Sequence, residues 1–135
     1  IDRKLFDYAV HTVFSEPQLD VTGESLPEAE ITAVGTNTAA TAAMLKAGAH
    51  HGATGENAVV VGCRRADVII GPVGIVIADA LYGEVTPAMA LAVGRSAAKR
   101  ILIPVNHCDN VIVGAAALSM GAMIDAVVKE LTKND

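Results

Sequence analysis

A chain of 135 residues with 52% hydrophobic and 19% charged residues is long enough for one domain with a proper core. Its net charge of −5, its ten scattered Lys and Arg residues and its four aromatic rings exclude nucleic acid as an expected partner, because neither a basic surface nor a base-stacking platform can be built. The longest apolar runs, such as 58–61 and 68–70, fall far short of the roughly 20 residues a membrane helix needs, so no membrane association is expected.

In chain order, Leu5, Phe6, Ala9, Val10, Val13 and Phe14 have helical spacing, and Ser15-Glu16-Pro17 with residues 20–25 read as loop. Residues 1–25 are therefore expected to be a helix and linker, followed by one α/β domain over 26–135. Ile31, Ala33 and Val34 predict a strand that ends at Gly35, after which Thr36, Asn37 and Thr38 start an Ala-rich helix over 37–47, closed by Gly48. His50 and His51 read as a solvated helix end, since adjacent residues on a helix point apart and do not easily share one metal. The segment 52–57 reads as a loop in which Thr54 caps a helix over 56–65, although Val59, Val60 and Val61 also suit a strand. Residues 67–70 predict a compact strand ending at Gly71-Pro72, and 73–81 a helix, against the strand propensity of Ile75, Val76 and Ile77. Thr86-Pro87 is a helix start with Thr as N-cap and Pro at the first helical position. Strands over 100–105 and 110–113 and an amphipathic helix over 119–131 complete the order. Strands alternating with helices predict a three-layer α/β fold on a mostly parallel sheet.

In such a sheet ligands bind outside the carboxyl ends of the strands. Those ends carry Gly35-Thr36-Asn37, Gly71-Pro72-Val73-Gly74 and the stretch 104–110 containing Asn106. Each also serves as a plain turn. If they converge, Gly71 and Gly74 allow close backbone approach while Thr36, Asn37 and Asn106 supply neutral hydrogen bonds. The loop Thr54-Gly55-Glu56-Asn57 either closes over a ligand or merely starts a helix. Glu56 is the best-placed acid or base, yet no partner stands at a recognisable spacing. His107-Cys108 has the residue types of a base and nucleophile but no third member, and Asp79 and Glu84 read as solvated. No catalytic residue and no metal set is assigned. Cys63 and Cys108 stand outside any CxxC pair, and no signal peptide is visible, so the expected setting is the cytoplasm with both thiols reduced.

The segments LPEAEI, GTNTAATAAMLKAGA, GATGENAVV, DVIIGP, GEVTPAMA and KRILIPVN together resemble a bacterial family catalogued only as domain-of-unknown-function family 3842, over about residues 26–131. The resemblance implies a nucleotide-binding, Rossmann-like fold with a glycine-rich loop of the form IDGQGGGIG near its start, and no assigned activity. Ile1-Asp2 echoes the end of the family's first strand, but Arg3-Lys4-Leu5-Phe6 stands where the glycines would be, so a helix-cradled pyrophosphate site is not expected here. On the family layout Thr36 and Asn37 fall where dinucleotide folds contact the ribose, with no local acidic residue for its hydroxyls and no Arg for a 2′-phosphate. The expected ligand is a small nucleotide, NAD(P) among the candidates, or a phosphorylated metabolite, bound by a homo-oligomer. The competing expectation is a non-catalytic structural or regulatory homo-oligomer subunit.

Overall fold

Every residue of the segment Val68–Pro72 is buried, the pattern of a strand covered on both faces. The computed structural model describes residues 11–14, 30–104, 110–115 and 118–131. Its strands are β1 (His11–Phe14), β2 (Ile31–Gly35), β3 (His51–Thr54), β4 (Val68–Pro72) and β5 (Lys99–Ile103). Its helices are α1 (Thr38–Lys46), α2 (Glu56–Arg65), α3 (Pro87–Arg95) and α4 (Met120–Leu131), with a 3-10 turn at Val73–Val76. Strands β2 and β3 pair in parallel, as do β4 and β5, and β1 lies between the two pairs, antiparallel to β2 and β4. It follows that β2 to β5 all run one way and end on one edge, where β1 begins with His11 opposite Val34.

The two-residue period of a strand sorts the core into two halves. Ile31 and Ala33 of β2, Val68 and Ile70 of β4, and Ile101 and Ile103 of β5 meet Met44 of α1 and Met123, Ile124, Val127 and Leu131 of α4 on one face. Val34 and Ile69 point the other way, onto Val59 and Cys63 of α2, Ile75 of the 3-10 turn, and Met89 and Val93 of α3. Each Val, Ile, Leu or Met among them contributes about 1.5–3 kcal/mol when fully buried, so both faces hold the chain in an α/β arrangement.

Several expectations need correction. The helical spacing of residues 5–14 does not carry to its end, because His11–Phe14 is a strand whose Thr12 and Val13 complete two ladders at once; residues 1–10 and 15–29 lie outside the described residues. Among the described strands β1 alone runs antiparallel to its neighbours. His51 does not end a helix: it opens β3, which sequence reading missed because HGAT contains one β-branched residue and forms only by pairing with β2. The helix expected over 73–81 stops after the single 3-10 turn, since Ile77 takes extended backbone and Asp79, Leu81 and Tyr82 take left-handed φ values of 67°, 57° and 56°. No strand forms over 110–113, where Val111 and Val113 are 85% and 94% exposed. Thr54 does not cap α2; Gly55 does, at φ 101° and without a side-chain hydrogen bond. The starts of α1, at Asn37, and α3, at Thr86, are as expected. Among the described residues no helix is long and apolar enough to cross a membrane.

Candidate functional site

The carboxyl edge of the sheet is built from the turn after β2 upward. Gly35 must be glycine there, because an added Cβ would lie 2.4 Å from Thr41 Oγ1 and 2.9 Å from both Asn37 O and Thr41 N. Its absence lets α1 begin directly over the strand end. Asn37 then caps α1, with Oδ1 accepting from Ala40 N at 2.8 Å. The buried Thr41 locks this turn to β3: its hydroxyl lies 3.2 Å from the carbonyls of Asn37 and Ala53 and 2.8 Å from Thr54 Oγ1. Either hydroxyl of the Thr41–Thr54 contact can be its donor. Gly55 N donates to Gly35 O at 2.9 Å, so the turns after β2 and β3 form one surface.

A third segment joins them. Asn37 Nδ2 donates to Glu84 Oε1 at 3.0 Å, and Thr86 Oγ1 donates to Glu56 Oε1 at 2.6 Å while accepting from Met89 N at 3.2 Å as the cap of α3. The loop between the 3-10 turn and α3 is thus strapped across the starts of both α1 and α2. Its two carboxylate contacts are with neutral donors. The Thr36 hydroxyl is buried at the same turn and has no hydrogen-bond partner.

The expected site residues divide accordingly. Gly35, Thr36, Asn37, Thr54, Gly55 and Glu56 come together, with Asn57 exposed on the first turn of α2. Gly71, Pro72 and Gly74 stand at the end of β4 on the same edge but are buried, so they belong to the floor of that end rather than its surface. Asn106, His107 and Cys108 lie outside the described residues. Sequence reading missed Glu84 as a member and took Thr86 only for a cap. Asn37 and Glu84 are 47 positions apart, and no local spacing announces their contact.

Glu56 is held by the Thr86 hydroxyl. His50 Nδ1 accepts from Ile31 N at 3.0 Å and His51 pairs with Glu30, so both histidines serve the β2–β3 pair. Among the described residues no group of three or more His, Cys, Asp or Glu could hold a metal ion. Cys63 is a free thiol, as expected, and burial pushes its pKa above the ordinary value, which keeps it neutral and a poor nucleophile.

Two surface cavities lie elsewhere. One of about 650 Å³ sits beside β2, β3 and α2, between Glu30, His51, Val61 and Arg65, and one of about 520 Å³ lies between α2 and α3. Neither is lined by Asn37, Glu56 or Glu84. The strand-end site is an open polar surface, and what distinguishes it is convergence of hydrogen-bonding groups, not depth. Comparison with curated proteins and with solved structures returns no match. Comparison with family models matches residues 19–135, a span that takes in every segment of the strand-end surface, and the chain belongs to the family described as Domain of unknown function (DUF3842).

Proposed function

We propose that this chain is a cytoplasmic, Rossmann-like, three-layer α/β domain that binds a small nucleotide or phosphorylated metabolite at the carboxyl edge of its sheet. Helices on both faces of β2, β4 and β5 support the layering. The observation that carries the ligand reading is the strap: Glu84 on Asn37 and Thr86 on Glu56 gather three chain segments into one polar surface at the strand ends. Asn37 and Glu84 together supply an amide donor and a carboxylate acceptor, the pair a ribose diol needs. The acidic residue absent from the sequence next to Asn37 is brought there by the fold. For a phosphate, α2 begins at Gly55 without a side-chain cap, leaving first-turn N–H groups at the positive end of the helix. The carboxylates of Glu56 and Glu84 oppose a polyphosphate, so the surface suits the nucleoside end of a mononucleotide or dinucleotide such as NAD(P).

The test is a thermal-shift and calorimetric series with AMP, 2′-deoxy-AMP, ATP, NAD and NADP. AMP should raise the melting temperature, since a ligand bound only to the folded state stabilises it. Glu84→Gln should weaken AMP while leaving 2′-deoxy-AMP unchanged. If no ribonucleotide shifts the melting curve, the reading fails.

A second reading, a structural or regulatory homo-oligomer subunit, is favoured by one observation. Val111 and Val113 are almost fully exposed on a segment without regular structure, which a second copy would cover. Sedimentation of the parent and of Val113→Asp separates the two readings.

A further inference from the structure

We propose that the groove between α2 and α3 binds a small amphiphilic anion, a molecule with an aliphatic or aromatic body and one carboxylate, sulfonate or phosphate head. The two helices run side by side. Thr86 Oγ1 to Glu56 Oε1 joins their starts, and Ser96 Oγ, which donates to Cys63 O at 2.7 Å, joins their ends. Between them the cavity of about 520 Å³ has an apolar wall that includes Val60, Ala88, Leu91 and Ala92. Leu91 remains 51% exposed there. Arg64 and Arg95, each in the last turn of its helix, stand together at one end of this lane.

Three features point to the occupant. The volume falls inside the about 300–1,000 Å³ of small-molecule sites, and an apolar lane with charge at one end matches an amphiphile rather than a sugar or a metal. Among the described residues no Asp or Glu lines the cavity, although the chain as a whole carries a net charge of −5. Neither Arg64 nor Arg95 makes an ion pair or hydrogen bond among the described residues. Each favours the negative end of its own helix, but that interaction leaves the guanidinium fork open to a bidentate anion. The groove shares no side chain with the strand-end surface beyond the helices themselves, so it stands or falls independently of the nucleotide reading.

The probe is 8-anilinonaphthalene-1-sulfonate, whose emission rises in an apolar site, titrated into the folded chain. Saturation at one site per chain and displacement by decanoate but not by decanol are expected. Arg64→Gln and Arg95→Gln, both at exposed positions, should each weaken the probe roughly tenfold, the worth of one charge-assisted hydrogen bond. The uncharged N-phenyl-1-naphthylamine should bind both variants as it binds the parent, and Leu91→Gln should weaken both probes. Equal sulfonate affinity in the double arginine variant, or decanol competing as well as decanoate, overturns the proposal. So does failure of decanoate to displace the probe while the chain floats with anionic phospholipid vesicles, which would make the site a membrane contact. If the parent sediments as an oligomer that Leu91→Gln dissolves and that binds no probe, the groove is covered by a second copy and the proposal is likewise overturned.

Discussion

Gly35→Ala tests whether the strand-end turn is as tight as its geometry requires. The new Cβ would meet Thr41 Oγ1 at 2.4 Å and two backbone atoms, Asn37 O and Thr41 N, at 2.9 Å. A hydroxyl can rotate away, but the backbone of the first turn of α1 cannot move without shifting the helix. Overpacking of this kind costs about 1–3 kcal/mol, and displacing the Thr41 hydroxyl from its carbonyl and Thr54 contacts adds about 1 kcal/mol. The sum, about 2–4 kcal/mol, corresponds to a fall in Tm of roughly 8–16 °C in a domain of this size. Thermal and urea melts followed by circular dichroism measure it. Gly121→Ala is the control: it lies in α4 with open space around it, and should hold or raise Tm. Placed in a Thr41→Ala background, Gly35→Ala should still cost more than about 1 kcal/mol, because the two backbone contacts remain. A Gly35→Ala melt that overlays the parent, or a cost that vanishes in the Thr41→Ala background, would refute the reasoning.

Asn37→Ala should lose about 1 kcal/mol with the α1 cap, whereas Asn37→Asp keeps the cap oxygen, melts nearer the parent, and sets a second carboxylate against Glu84 that weakens any diol ligand. Thr86→Val removes both the α3 cap and the Glu56 contact and should cost about 1–2 kcal/mol in urea melts, with the far-UV spectrum retained. Native Cys63 should alkylate with iodoacetamide far more slowly than the same cysteine in denaturant, read by peptide mass spectrometry. Because burial raises its folded-state pKa, the stability linked to the neutral thiol is complete below the unfolded value of about 8.5 and declines as pH rises past it, so a stability that grew with pH there and vanished in Cys63→Ala would contradict the burial.

The parts of the fold legible in the sequence are those governed by local chemistry. Asn37 and Thr86 announce helix starts because a short polar side chain there satisfies an otherwise orphaned N–H, and Val68–Pro72 reads as buried because it has no polar side chain to expose. Elements made by partners are not legible. The strand β3 has little strand propensity of its own, and its Gly52 lies against the Leu45 side chain of α1, which an added Cβ would meet at 2.7 Å. The same holds for the site. Its glycine and asparagine stand in one recognisable block, but the carboxylate facing Asn37 arrives from a loop folded across the edge, on a backbone where three residues other than glycine take left-handed conformations. Such a loop is specified by the contacts at its ends, and no period or spacing reports them.

The direction of β1 carries the last consequence. In a parallel nucleotide-binding sheet the central strand runs toward the ligand edge and its glycine loop leaves there. Here β1 fills the central place between β2 and β4 in the opposite sense: His11 stands opposite Val34 near the carboxyl edge of the other strands, and Phe14 stands opposite Ile31 at the other edge. Phe14, the last residue of β1, thus lies at the edge opposite the one that carries Asn37 and Glu84. The chain should therefore bind the pyrophosphate of a dinucleotide weakly while keeping the nucleoside surface. Replacing residues 1–25 by a strand and glycine loop of the form IDGQGGGIG would allow a parallel central strand, since β2 and β4 already run the same way and offer the ladder on both sides. Calorimetry with NAD and ATP should then show tighter binding by the replaced chain than by the parent, with AMP less affected. Binding of NAD by the parent at micromolar affinity or better would sink the argument from strand direction, and no gain in the replaced chain would turn the balance toward the oligomer-subunit reading.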